Sequence, residues 1–168
     1  MKHYLSTILG LLLVCALHAQ CDYEIEKVVN PEGSYTTIKP KDQGKGYGNP
    51  ISFKAIVDKD TTKFAFVYMT TSSPLTFSEK TVVSFQFEDD SFMRIEDISI
   101  EYLKTDISSA DGSIYNMYSA FIQLNASHLS ELSTRLVKNV WFGQTKSNEY
   151  LKGIRKKTMT AAKCLADL

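Results

Sequence analysis

Eight carboxylates crowd residues 88–111: Glu88, Asp89, Asp90, Glu96, Asp97, Glu101, Asp106 and Asp111, against Arg94 and Lys104. Two carboxyl groups about 5–10 Å apart across a cleft could cleave a glycosidic bond, one as acid and one as nucleophile or base. A pair drawn from Glu88, Glu96, Asp97 and Glu101 is the candidate for that chemistry. Six to eight oxygens from the same acids could instead hold calcium. The candidate acidic site is Glu88, Asp89, Asp90, Glu96 and Asp97. Neither chemistry has its diagnostic spacing. Asp106-x-Ser108-x-Ala110-Asp111-Gly112 misses the EF-hand pattern, because Ala110 has no side-chain oxygen. Aspartates also build turns, so the plainer reading is turn chemistry and solvated strand faces.

The C-terminal third has the opposite charge. Arg135, Lys138, Lys146, Lys152, Arg155, Lys156, Lys157 and Lys163 stand against Glu149. Arg155, Lys156 and Lys157 form a candidate patch for an anion or an acidic partner, just ahead of the expected terminal helix. Positive charge there opposes the helix dipole. The competing reading is a solvated face that pairs with the acidic middle segment.

Other chemistry lacks its parts. A serine–histidine mechanism would have to use His128, since His3 and His18 lie in the leader described below, and there is no Gly-x-Ser-x-Gly turn. Zinc needs several His, Cys or carboxylate ligands. Gly44-Lys45-Gly46-Tyr47-Gly48 fails the spacing of a phosphate loop. No catalytic residue, metal ligand or cofactor is therefore assigned. With 19 basic and 19 acidic side chains, the chain does not read as a nucleic-acid binder. Asn125-Ala126-Ser127 is a glycosylation sequon, and Asp60-Thr61-Thr62 resembles the O-glycosylation triad of Bacteroidota-type bacteria.

The elements that must position these groups begin after a leader. Lys2 and His3 precede an apolar run from Leu5 to Leu17, too short for a membrane span and suited to a secretory signal. Cleavage is expected after Ala19, leaving a single β-rich domain over 20–168 with no further apolar stretch long enough to cross a membrane. Lipidation at Cys21 is the runner-up, but Gln20 is wrong before a lipoprotein cysteine. Cys21 and Cys164 survive cleavage, and in an exported chain they read as a disulfide.

Residues 22–29 alternate like a half-buried strand, and Asn30 to Gly33 reads as a turn. The stretch 39–50 is rich in Gly, Pro and Lys and reads as a loop. Ile51, Phe53, Ala55 and Val57 alternate; Phe64 to Met69 is apolar on both faces, as a central strand would be. Val83, Phe85 and Phe87 lead into a turn at Asp89-Asp90. Apolar positions then shift from odd (Met93, Ile95) to even (Ile98, Ile100), which demands a bulge or turn at Glu96-Asp97. Tyr115 to Leu124 is a two-faced strand, and Ser127 can cap a helix carrying Leu129 and Leu132. Leu136 to Phe142 is a strand that holds Trp141 at the core or its edge; most Phe side chains are expected inward. A further strand is expected over 149–154, after a hairpin loop at Lys146-Ser147-Asn148. The fold class is mainly β: a β-sandwich or bent antiparallel sheet, with a short helix near 127–134 and a C-terminal helix near 158–168.

The leader ending in Ala19-Gln20 is similar to those of secreted Bacteroidota-type proteins. Ser127-x-Leu129-x-x-Leu132, the run Leu136 to Trp141, the run Tyr150 to Arg155 and Cys164-Leu165 add to this. Together they resemble a group of uncharacterised β-rich exported proteins from such bacteria. The likeness covers roughly the last 45 residues and departs from the group at polar Asn139. It implies a compartment and an architecture, and carries over no activity. These features point to an exported, non-catalytic module that binds an envelope protein or glycan. The carboxylate-based hydrolase and the calcium-stabilised protein are the alternatives.

Overall fold

The structure, a computed structural model, describes residues 21–31, 33–43 and 50–168. The leader and residues 44–49 of the Gly-rich stretch lie outside them.

A hairpin of β1 (Tyr23–Asn30) and β2 (Gly33–Pro40) opens the chain, followed by a 3-10 turn, Lys41–Gln43. Strands β3 (Ile51–Val57), β4 (Thr61–Thr71), β5 (Thr81–Phe87), β6 (Phe92–Ile98), β7 (Ile100–Ile107) and β8 (Ile114–Leu124) follow. Helix α1 (Ala126–Thr134), strands β9 (Val137–Phe142) and β10 (Thr145–Lys146), and helix α2 (Lys152–Ala166) complete the chain. The strands form two antiparallel sheets, ordered β1-β2-β3-β4-β8-β7 and β10-β9-β5-β6. The six-stranded sheet curls into a half-barrel.

Alternation decides what goes inside. Ile51, Phe53 and Ala55 of β3, Ala65, Val67 and Met69 of β4, and Tyr118, Ala120 and Ile122 of β8 are buried. They join Val83, Phe85 and Phe87 of β5 and Val140 and Phe142 of β9 in one core. Leu129 and Leu132 of α1 and Ala161, Ala162 and Leu165 of α2 belong to the same cluster. The central position expected for residues 64–69 holds, since β4 lies between β3 and β8.

The change of phase after Ile95 has a structural meaning. Three residues of β5 (Thr81 to Val83) face four of β6 (Ile95 to Ile98), and Asp97 takes a positive φ of 60°. The expected irregularity at Glu96-Asp97 is therefore present. Just beyond it the chain leaves the four-stranded sheet and enters the six-stranded one as β7.

Several local expectations change. β1 is an edge strand rather than half-buried: Ile25 and Val29 are 67% and 73% exposed, because the core does not reach beneath this end of the sheet. Gln43 is buried, and its amide donates to the Phe53 carbonyl at 2.7 Å and accepts from the Phe53 N–H. It bonds β3 where the β2–β3 pairing has ended at Ile38↔Ala55. Asn125, not Ser127, caps α1. Its side chain accepts from the His128 N–H at 2.8 Å, and His128 Nδ1 accepts from the Asn125 N–H in return. No strand occupies 149–154. The hairpin closes earlier, at Gly143 with φ +59°, and α2 begins at Lys152. Arg155, Lys156 and Lys157 thus lie within the helix rather than ahead of it.

Cys21 and Cys164 pair as expected, with sulfurs 2.06 Å and Cα atoms 5.6 Å apart. Tyr23 reinforces the junction by donating its hydroxyl to the Cys164 carbonyl at 2.8 Å. A cross-link closing so long a loop stabilises by about 4–5 kcal/mol in the chain-entropy model.

Candidate functional site

The acidic and basic runs meet at the β5–β6 turn. Phe87 N–H donates to the Ser91 carbonyl at 3.0 Å, and Asp90 sits at φ 62°, so the turn holds its acids in fixed directions. Glu88 accepts from Arg155 at 2.8 Å, and Arg155 also meets Glu149 and donates to the Tyr150 carbonyl. Asp89 accepts from Arg135 at 2.6 Å, while Arg135 bonds Glu131 one helical turn back and lies 4.0 Å over the Phe87 ring. Asp90 accepts from Lys138 at 2.9 Å. The Ser91 hydroxyl, followed by Arg135, pulls the Asp89 carboxyl down to about 2. This seam is the pairing of the two charge runs weighed above.

The remaining candidates scatter. Asp97 pairs loosely with Lys80 at 3.7 Å, both exposed. Asp106 pairs with Lys104. Asp111 is held down to about 2 by the hydroxyls of Ser108 and Ser113 within its own loop. Among the described residues no three His, Cys, Asp or Glu side chains gather closely enough to hold a metal ion. Lys156 and Lys157 are exposed on α2, apart from the largely buried Arg155 beside them. His128 is tied into the α1 cap, and burial lowers its pKa.

A different surface has the shape of a site. On the outer face of the four-stranded sheet, the registers line up Arg94, Ser84, Trp141 and Lys146 across β6, β5, β9 and β10. Phe92 and Gln86 form the adjoining row. These rows border a trough of about 590 Å³, lined by Ser84, Phe92, Arg94, Glu96, Trp141 and Gly143 among others. Small Ser84 and Gly143 leave depth between the larger side chains. The Trp141 Nε1–H donates to Gln86 Oε1 at 3.3 Å, and the Phe92 ring meets the indole edge-on at 6.3 Å. These two contacts hold the indole in a fixed orientation. Lys146 Nζ lies 5.7 Å from the indole centroid but does not line the trough. An aromatic face beside a guanidinium, a carboxylate and a hydroxyl can stack on an apolar ring face while bonding its polar edge.

Trp141 is therefore half-buried on the outer face rather than in the core. Its neighbours Val140 and Phe142 are both buried, and alternation turns the residue between them outward. That signal was readable in the sequence. The inward expectation holds for Phe53, Phe85, Phe87 and Phe142, whereas Phe92 and Phe121 are exposed. Phe64 and Phe66 flank Phe121 at 4.5 and 4.8 Å on the outer face of the larger sheet. A second cleft of about 400 Å³ lies on that face, lined by Lys39, Lys54, Phe66 and Tyr68 with Glu24. Partial burial, and then Lys39, lower the Lys54 pKa, while Glu26 opposes them.

No family model matches the chain, and no curated protein or solved structure does either. Among the described residues, no helix is long and apolar enough to cross a membrane.

Proposed function

We propose that the chain is an exported, non-catalytic binding module of the cell envelope or its surroundings, and that its ligand occupies the Trp141 trough. The observation that carries this reading is the placement of the chain's one tryptophan. Fully burying a large apolar side chain stabilises a fold by about 1.5–3 kcal/mol. Here the largest ring stands half-exposed beside Arg94 and Glu96 in a preformed trough. The trough's size suits a small ligand such as a glycan unit better than a broad protein surface.

Export is supported by the leader-like residues 1–19 and by a disulfide, a bond that persists in oxidising compartments. The disulfide also weighs against lipidation, because Cys21 cannot carry a lipid thioether and a disulfide on one sulfur. Hydrolysis by a carboxylate pair is less well supported. Among the described residues Glu96 is the one acid lining the trough, while Asp97 and Glu88 face Lys80 and Arg155.

The test is a glycan array probed with the mature chain, followed by titration of each hit against Trp141 fluorescence. The expected result is a saturable fluorescence change, and loss of binding in a folded Trp141→Ala variant. Undiminished binding by that variant would remove this face from consideration.

A further inference from the structure

The chain has three arginines, at 94, 135 and 155. Arg135 is held by Asp89 and Glu131, and Arg155 by Glu88 and Glu149. Arg94 makes no ion pair or hydrogen bond among the described residues, and it stands exposed at the trough, across Ser84 from Trp141. Glu96, two residues along the same face of β6, is also without an ion pair there. Lys80, the other cation lining the trough, faces Asp97.

A guanidinium presents two parallel N–H groups that match the two oxygens of a carboxylate. The indole and Phe92 beside it offer an apolar surface against which a ring face can lie. The Glu96 oxygens can accept hydrogen bonds from sugar hydroxyls. We propose, building on the trough reading above, that the ligand is a saccharide bearing a carboxylate. Its carboxylate meets the Arg94 fork, its apolar ring face lies against Trp141, and its hydroxyls reach Ser84 and Glu96. A neutral sugar leaves the guanidinium without a partner.

The experiment titrates the oxidised mature chain with trigalacturonate, its methyl ester and a sulfated galactose trisaccharide, read by calorimetry and Trp141 fluorescence. Trigalacturonate should bind about ten- to a hundredfold more tightly than the ester. Arg94→Gln should erase that preference, and Arg94→Lys should restore part of it. Added salt should weaken the acid and leave the ester unchanged.

Equal binding of acid and ester, or indifference to Arg94→Gln, overturns the proposal while leaving the trough as a sugar site. Tighter binding of the sulfated sugar overturns the carboxylate assignment. An acidic peptide that matches trigalacturonate overturns the saccharide. If no sugar alters Trp141 fluorescence or yields heat, the trough reading itself fails.

Discussion

The hairpin of β5 and β6 carries charge in two places and uses it in two ways. At its turn, Glu88, Asp89 and Asp90 each meet a cation from the C-terminal third, and two of those cations serve a second carboxylate as well. Along its outer face, Arg94 and Glu96 flank an aromatic trough without ion pairs among the described residues. The turn is the denser cluster and catches the eye first in the sequence. Its charges are already engaged with one another, so it acts as a clasp between the hairpin and the helices. The sparser face retains unsatisfied bonding capacity among the described residues, which is what supports placing the proposed ligand there.

The contrast can be tested on stability. Arg155 is 13% exposed and serves Glu88, Glu149 and a backbone carbonyl. Arg155→Ala should destabilise the fold by about 2–3 kcal/mol in urea titration. Arg135→Ala should destabilise the fold less than Arg155→Ala, through lost exposed ion pairs and lost packing on Phe87.

Acid should loosen the clasp. The Asp89 carboxyl is lowered from 3.8 to about 2, so it binds protons more weakly folded than unfolded. Its contribution is complete above pH 3.8 and falls away toward pH 2. Stability measured across that window should lose part of its slope in Asp89→Asn.

On the open surfaces, Arg94→Ala and the double variant Lys156→Glu, Lys157→Glu should shift stability by no more than about 0.5 kcal/mol. Smallest of all, calcium or chelator should leave the melting temperature unchanged. The clasp's acids face cations, and no metal-sized cluster forms among the described residues. A calcium-dependent rise would mean that these acids can be recruited away from their partners.

Much of the framework was legible because strand alternation and turn residues act locally. The shift from Ile95 to Ile98 placed the bulge, and Asp89-Asp90 marked the turn. The site was harder. Val137 and Phe142 are both buried although five residues apart, which one unbroken strand cannot achieve. The register slips at Lys138, where Gln86 pairs with Asn139 and Phe87 with Val137. Reading inward from Val137 and Phe142 therefore misplaced Trp141. The start of α2 was obscured for another reason. Its first turns expose lysines, while its buried face relies on Thr158, Ala161 and Ala162, which give little hydrophobic contrast. The cations that meet Glu88, Asp89 and Asp90 lie more than 40 residues away, as Arg135 does from Asp89, and no local pattern encodes those contacts.

The bond between Cys21 and Cys164 also fixes how the domain bears load. It joins points 143 residues apart, so almost the whole domain lies inside one covalent loop. Tension applied between the two ends runs from Cys21 through sulfur into α2 and bypasses every sheet. Stretched in an optical trap, the oxidised chain should lengthen only by what lies outside that loop. With the bond reduced, the same pull would act on β1, an edge strand that can unzip one hydrogen-bonded pair at a time. The domain would then serve as an inextensible link for as long as its surroundings keep it oxidised.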